Sequence, residues 1–108
     1  MKLDESKYHQ LVDQLQQRVE EALDEADFDV DMANGILTID FDKGGKIILS
    51  RQPALLQLWV AAKSGGYHLV YDEAAAIWYV LNSHESLGGL LARLVSEQSG
   101  EQLNFEGL

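Results

Sequence analysis

Apolar residues recur three and four apart along the first quarter of the chain, at Tyr8, Leu11, Val12, Leu15, Val19, Leu23 and Ala26. That spacing predicts an amphipathic helix from about residue 5 to residues 24–26. The period then drops to two. Residues 27–32 alternate, which predicts a strand with Phe28, Val30 and Met32 inward and Asp27, Asp29 and Asp31 outward. Asn34-Gly35 is a hairpin-type turn into a strand at 36–41, and residues 42–45 turn the chain again into 46–50. Pro53 interrupts before a strand at 56–60; Ser64-Gly65-Gly66 precedes strands at 67–71 and 77–80. Six strands with short connections predict an antiparallel sheet. By parity Leu37, Ile39, Phe41, Ile47, Leu49, Leu56, Leu58 and Val60 face a core. Thr38, Asp40, Lys46, Ser50, Gln57 and Trp59 take the other face.

A second helix is predicted from about residue 84 to residue 98, with Ser83 as its N-cap. Leu87, Leu90, Leu91, Leu94 and Val95 form its apolar stripe, and Gly100 stops it. Gly88-Gly89 in its first turns is a weak point, each glycine costing about 1 kcal/mol relative to alanine. Helix, six strands, helix is the order of an α+β fold. The expectation is a two-layer α/β sandwich: an antiparallel six-stranded sheet with the N- and C-terminal helices on one face and the other face open. Residues 1–108 are expected to form one domain.

Charge changes the picture. The chain has 18 acidic and 8 basic side chains, a formal net charge of −10. Residues 1–42 hold twelve of the acids and three of the bases. Glu20/Asp24 and Glu21/Glu25 are like-charge pairs at i, i+4, each costing roughly 0.2–0.5 kcal/mol. Asp24 and Glu25 also sit near the helix C-terminus, where the macrodipole disfavours anions. Stability does not select such a pattern. A plain reading is a solvated acidic face; the unfavourable placements favour a partner of opposite sign. Asp13, Glu20, Glu21, Asp24, Glu25, Asp27, Asp29 and Asp31 are placed to form one ridge.

The same balance excludes nucleic-acid binding through phosphates and docking on an anionic membrane. No apolar run approaches the ~20 residues of a membrane span, and the first residues resemble neither a signal nor a transit peptide, so a cytoplasmic protein is expected. With no cysteine, thiolate zinc sites, disulfides and thiol catalysis are excluded. No nucleophile or phosphate-loop motif is present, which predicts a protein that is not an enzyme. His68 and His84 read as structural. His9, with Asp13 four residues on, is a candidate peripheral metal ligand. Carboxylates suit hard and borderline cations, but groups fixed on a helix and a strand cannot encircle one ion. Several weak, water-rich sites are expected. Trp59, a large aromatic among polar residues on an open sheet face, marks a second candidate contact with Gln57.

The sequence resembles the bacterial branch of the frataxin family over essentially its whole length. The resemblance is carried by Tyr8-His9-x-Leu11-x-Asp13-x-Leu15, Glu20-Glu21-x-Leu23-Asp24-Glu25, Asn34 to Ile39, Gly45 to Ile48, Arg51-Gln52-Pro53, Gln57-Leu58-Trp59-x-Ala61 and Gly65 to His68. Departures include Ser50 where the family often has Asn, and Leu87-Gly88-Gly89 where it has aromatic and acidic residues. The resemblance implies an iron-binding accessory protein of iron–sulfur cluster assembly, acting with a cysteine desulfurase and a scaffold protein. It implies Fe2+ or Fe3+ as weakly and reversibly held cargo on His9, Asp13 and the ridge acids. Docking on a basic desulfurase surface would use Glu20, Asp24, Asp29 and Asp31, and Gln57 and Trp59 would serve a contact with the scaffold or the ternary complex. A monomer is expected, with iron-driven oligomers left open. The alternative is an acidic interaction module that regulates a basic partner, with metal binding incidental.

Overall fold

The computed structural model describes residues 3–24, 26, 28–41, 44–105 and 108. Helix α1 spans Glu5–Leu23, and the Asp4 side chain caps it by accepting from the Lys7 N–H at 2.7 Å. Its buried stripe is Tyr8, Val12, Leu15, Gln16, Val19 and Leu23. Six strands follow: β1 Asp29–Ala33, β2 Ile36–Phe41, β3 Gly45–Gln52, β4 Gln57–Ala62, β5 Gly65–Asp72 and β6 Ile77–Val80. They pair in sequence order as an antiparallel meander, so β1 and β6 are the edges. Helix α2, Leu87–Ser99, closes the described secondary structure. The predicted architecture is the observed one. Both helices bury their stripes in one core with Leu37, Ile39, Phe41, Ile47, Leu49, Leu58, Val60, Leu69, Trp78 and Val80 from one face of the sheet.

Three details differ from the sequence expectation. Leu56 is not a strand residue: a turn of 3-10 helix, Pro53–Leu55, ends on it with φ +53°, and the strand begins one residue later. Met32, expected inside, is 39% exposed, because β1 is an edge strand with a neighbour on one side only. The second helix starts at Leu87 and not at residue 84. Its cap is Ser86, whose hydroxyl accepts from the Gly89 N–H at 3.0 Å. Ser83 instead accepts from the Glu85 N–H within the preceding turn, where His84 has φ +61° and stacks on Tyr79.

Gly88-Gly89 also has a different meaning. Neither glycine has a positive φ. A Cβ on Gly88 would lie 2.6 Å from the Phe105 carbonyl oxygen and 3.0 Å from the Leu108 carbonyl carbon. Gly88 is therefore a packing requirement: it lets the tail lie against α2 and bury Phe105 and Leu108. At the other end of α2, the Gln98 side chain donates to the Gly44 carbonyl at 2.8 Å and accepts from the Lys63 N–H at 3.1 Å. One glutamine thus ties the helix end to two hairpin turns.

Candidate functional site

The C-terminal half of α1 presents Glu20, Glu21 and Asp24, all exposed. At about 100° per residue they point away from the Val19–Leu23 stripe, and no described residue buries them. The chain then crosses to the sheet edge. Glu20, Leu23, Asp24, Ala26, Phe28 and Val30 line a cleft of about 300 Å³ between the helix end and β1. Its floor is set by Phe28, which packs edge to face on Phe41 with ring centroids 4.6 Å apart. Asp29 and Asp31 lie beyond, on β1. They pair with Asp40 and Thr38, so they take the open face of the sheet, while the α1 acids stand on the helix side. The expected ridge therefore wraps around an edge strand. Glu25 and Asp27 fall outside the described residues.

Several acids outside this stretch have a basic partner. Asp40 lies within 4.0 Å of the Lys46 ammonium, and Glu85 and Glu97 share Arg93. Glu20, Glu21, Asp24, Asp29 and Asp31 have no Lys or Arg partner among the described residues. Asp29 directly faces Asp40 across the β1–β2 pair, an arrangement that is destabilising in itself. No group of three or more His, Asp or Glu among the described residues converges tightly enough to hold an ion alone.

His9 and Asp13 do not join that surface. Arg51 stands between them, its guanidinium bonded to Asp13 and at 2.9 Å from His9 Nδ1. The same guanidinium donates to Gln16 Oε1 at 3.0 Å. Gln16 is fully buried and satisfied, donating to the carbonyl oxygens of Gly35 at 2.9 Å and Leu49 at 3.4 Å. His9 Nε2 lies 3.8 Å from Glu5. With Arg51 between them, His9 and Asp13 form a clasp between α1 and β3. Sequence reasoning missed Arg51, although a signal existed. Residues 47, 49 and 51 share the helix-facing parity of β3, and an arginine there needs acceptors on the helix above it.

The second candidate contact lies across the sheet. Trp59 and Gln57 are half-buried on the open face; Trp59 lies between Ser50 of β3 and His68 of β5, and Gln57 pairs with Gln52 of β3. Gln57 is anchored from behind: its main-chain carbonyl accepts from the Tyr8 hydroxyl at 2.6 Å, and that hydroxyl accepts from the Gln52 N–H at 3.0 Å. Burial raises the Tyr8 pKa, with the Gln52 N–H and the Arg51 charge opposing the shift. The phenol therefore stays protonated and able to donate.

A family model described as a frataxin-like domain matches residues 1–101. A curated relative from Stutzerimonas stutzeri, an iron-sulfur cluster assembly protein CyaY, is 54% identical over 110 residues, covering all of both chains. The protein of that name from Pseudomonas aeruginosa is 53% identical over 108 residues, covering 98% of this chain and all of its own. Among solved structures, the frataxin of Psychromonas ingrahamii superposes with a TM-score of 0.88 at 33% identity, covering 95% of this chain and 98% of that one. Trimeric yeast frataxin complexed with ferrous iron shares the fold, with a TM-score of 0.67 at 22% identity over 94% of this chain and 90% of its own.

Proposed function

Since the chain belongs to the frataxin-like family, we propose that it is a non-enzymatic, iron-binding accessory protein of iron–sulfur cluster assembly. One observation carries this reading: five exposed carboxylates, Glu20, Glu21, Asp24, Asp29 and Asp31, lie around one sheet edge without a basic partner among the described residues. Oxygen ligands of this kind suit ferrous and ferric iron, and a partial shell suits cargo that must be released. Glu25 and Asp27 belong to the same acidic stretch. His9 and Asp13 are left out of the ligand set, because Arg51 holds both.

The surface has a second use in the same process. Glu20, Asp24, Asp29 and Asp31 attract a basic protein face, which the cysteine desulfurase supplies, and bound iron then changes the charge of the docking surface. Trp59 and Gln57 meet the scaffold protein on the open face. The protein works in the cytoplasm; among the described residues no helix is long and apolar enough to cross a membrane. Titration with ferrous iron under anaerobic conditions tests the metal reading. Amide resonances of residues 20–31 should broaden first, with those beyond residue 44 unaffected. Broadening centred on His68 or His84 refutes it. Desulfurase capture in chelator and in ferrous iron then separates iron-linked docking from docking in which metal is incidental.

A further inference from the structure

Trp59 and His68 stand directly opposite each other on β4 and β5, their rings edge to face with centroids 4.7 Å apart. Gln57 reaches both. Its side-chain oxygen lies 3.2 Å from Trp59 Nε1 and 3.3 Å from His68 Nδ1. An indole N–H can only donate, so the amide must turn its oxygen toward the indole and not its NH2 group. That oxygen has two lone pairs and no proton, so its second partner must donate as well. Nδ1 of His68 therefore carries the proton. Nε2 is left as an acceptor on an exposed residue, with no hydrogen bond to it among the described residues. Fixing one ring nitrogen with a carbonyl is how proteins aim the other at a ligand.

The geometry points to Gln57 as a positioning residue of the open face and to His68 as a further partner-contact residue. Gln57 locks the Trp59 ring and selects the Nδ1–H form of His68, so that the surface offers a flat aromatic ring beside an outward acceptor. The partner that fits presents an apolar group next to an N–H or O–H donor. Ile36, 41% exposed and on the same face by its alternation with Leu37, widens the apolar part. Because the Gln57 main chain is held by Tyr8, its side chain can be changed without loosening the strand. The inference rests on the reading that this face meets the scaffold protein.

Imidazole 15N spectra of the free protein at alkaline pH test the first half without any partner. His68 should be protonated at Nδ1. Gln57→Leu should move it toward the Nε2–H form and shift the Trp59 indole proton upfield, and Gln57→Glu, which keeps an acceptor, should preserve both signals. For the scaffold protein, Gln57→Leu should weaken binding about tenfold, the scale of one lost oriented contact. His68→Phe, which keeps the ring contact but has no Nε2, should do the same while leaving the indole signal in place. A wild-type His68 protonated at Nε2 overturns the inference. So does scaffold affinity unchanged by Gln57→Leu and His68→Phe but lost in Trp59→Ala. Affinity unchanged in all three, Trp59→Ala included, overturns the open-face reading itself.

Discussion

Adjacent glycines in the first turn of α2 should respond to alanine with opposite signs. A Cβ on Gly88 meets main-chain atoms, the Phe105 oxygen at 2.6 Å and the Leu108 carbonyl carbon at 3.0 Å. Relief requires the tail to retreat by most of an ångström, a strain of the overpacking kind that costs about 1–3 kcal/mol. If the tail detaches instead, Phe105 and Leu108, only 4% and 8% exposed, lose their burial, at roughly 1.5–3 kcal/mol each. Better helix propensity offsets about 1 kcal/mol of either. By the cheaper route Gly88→Ala should therefore destabilise by up to about 2 kcal/mol. Gly89 is exposed, and its Cβ would meet only the Ser86 hydroxyl at 3.2 Å and the Glu85 side chain beyond it. Gly89→Ala should gain up to about 1 kcal/mol, less whatever the Ser86 cap loses. Urea and thermal melts of both variants measure the difference, which corresponds to melting points separated by several degrees, since about 1 kcal/mol shifts a domain of this size by ~4–8 °C. In a chain truncated after Gln102 the two variants should converge, because the atoms that Gly88 avoids are gone. Stabilisation of the full chain by Gly88→Ala would refute the packing argument.

Other expectations follow from the same contacts. Charge reversal at Glu20, Asp24, Asp29 and Asp31 should slow desulfurase association, most visibly at low salt where steering is unscreened; unchanged association kinetics would remove this surface from the interface. Asp24→Asn should raise stability by about 0.3–1 kcal/mol in low salt, since an unpaired anion near a helix C-terminus is lost, and melts in added salt should show the gain shrinking. Arg51→Leu should cost about 1–3 kcal/mol by stranding Gln16, His9 and Asp13, whereas Asp13→Asn, on a mostly exposed side chain, should cost less than about 1 kcal/mol; equal losses in urea would refute the clasp. The raised Tyr8 pKa makes the neutral phenol a folded-state requirement. Its contribution is full below the unfolded value near 10 and is lost as pH rises through the higher folded value. Tyr8→Phe should cost about 1–2 kcal/mol at neutral pH and flatten the alkaline limb of a stability–pH profile.

Periodicity alone reached the architecture, because both helices and the inner strands β2 to β5 bury one face and leave the other at least partly wet. Residues 36–41 and 77–80 are legible to the residue as strands, and the apolar residues of both helix stripes are legible too, although α1 ends at Leu23 before Ala26 and also buries Gln16. The concentration of acids around the α1–β1 junction was equally visible, since charge needs no fold to be counted. What the linear chain could not show was which groups meet across distance. Arg51 is 42 residues from His9 and 38 from Asp13, and only the packing of α1 over β3 makes it their partner. Gly88 reads as a helix defect until the tail, from residues 105 and 108, is seen lying where its side chain would be. Alternation already turned Asp29 and Asp31 outward, but only the packing of α1 on the core side of the sheet sets them across an edge strand from Asp24. Local patterns determine elements, and the face each strand residue takes, because backbone periodicity is a short-range property; ion-pair partners and close approaches are set only when elements far apart in sequence pack and exclude water together.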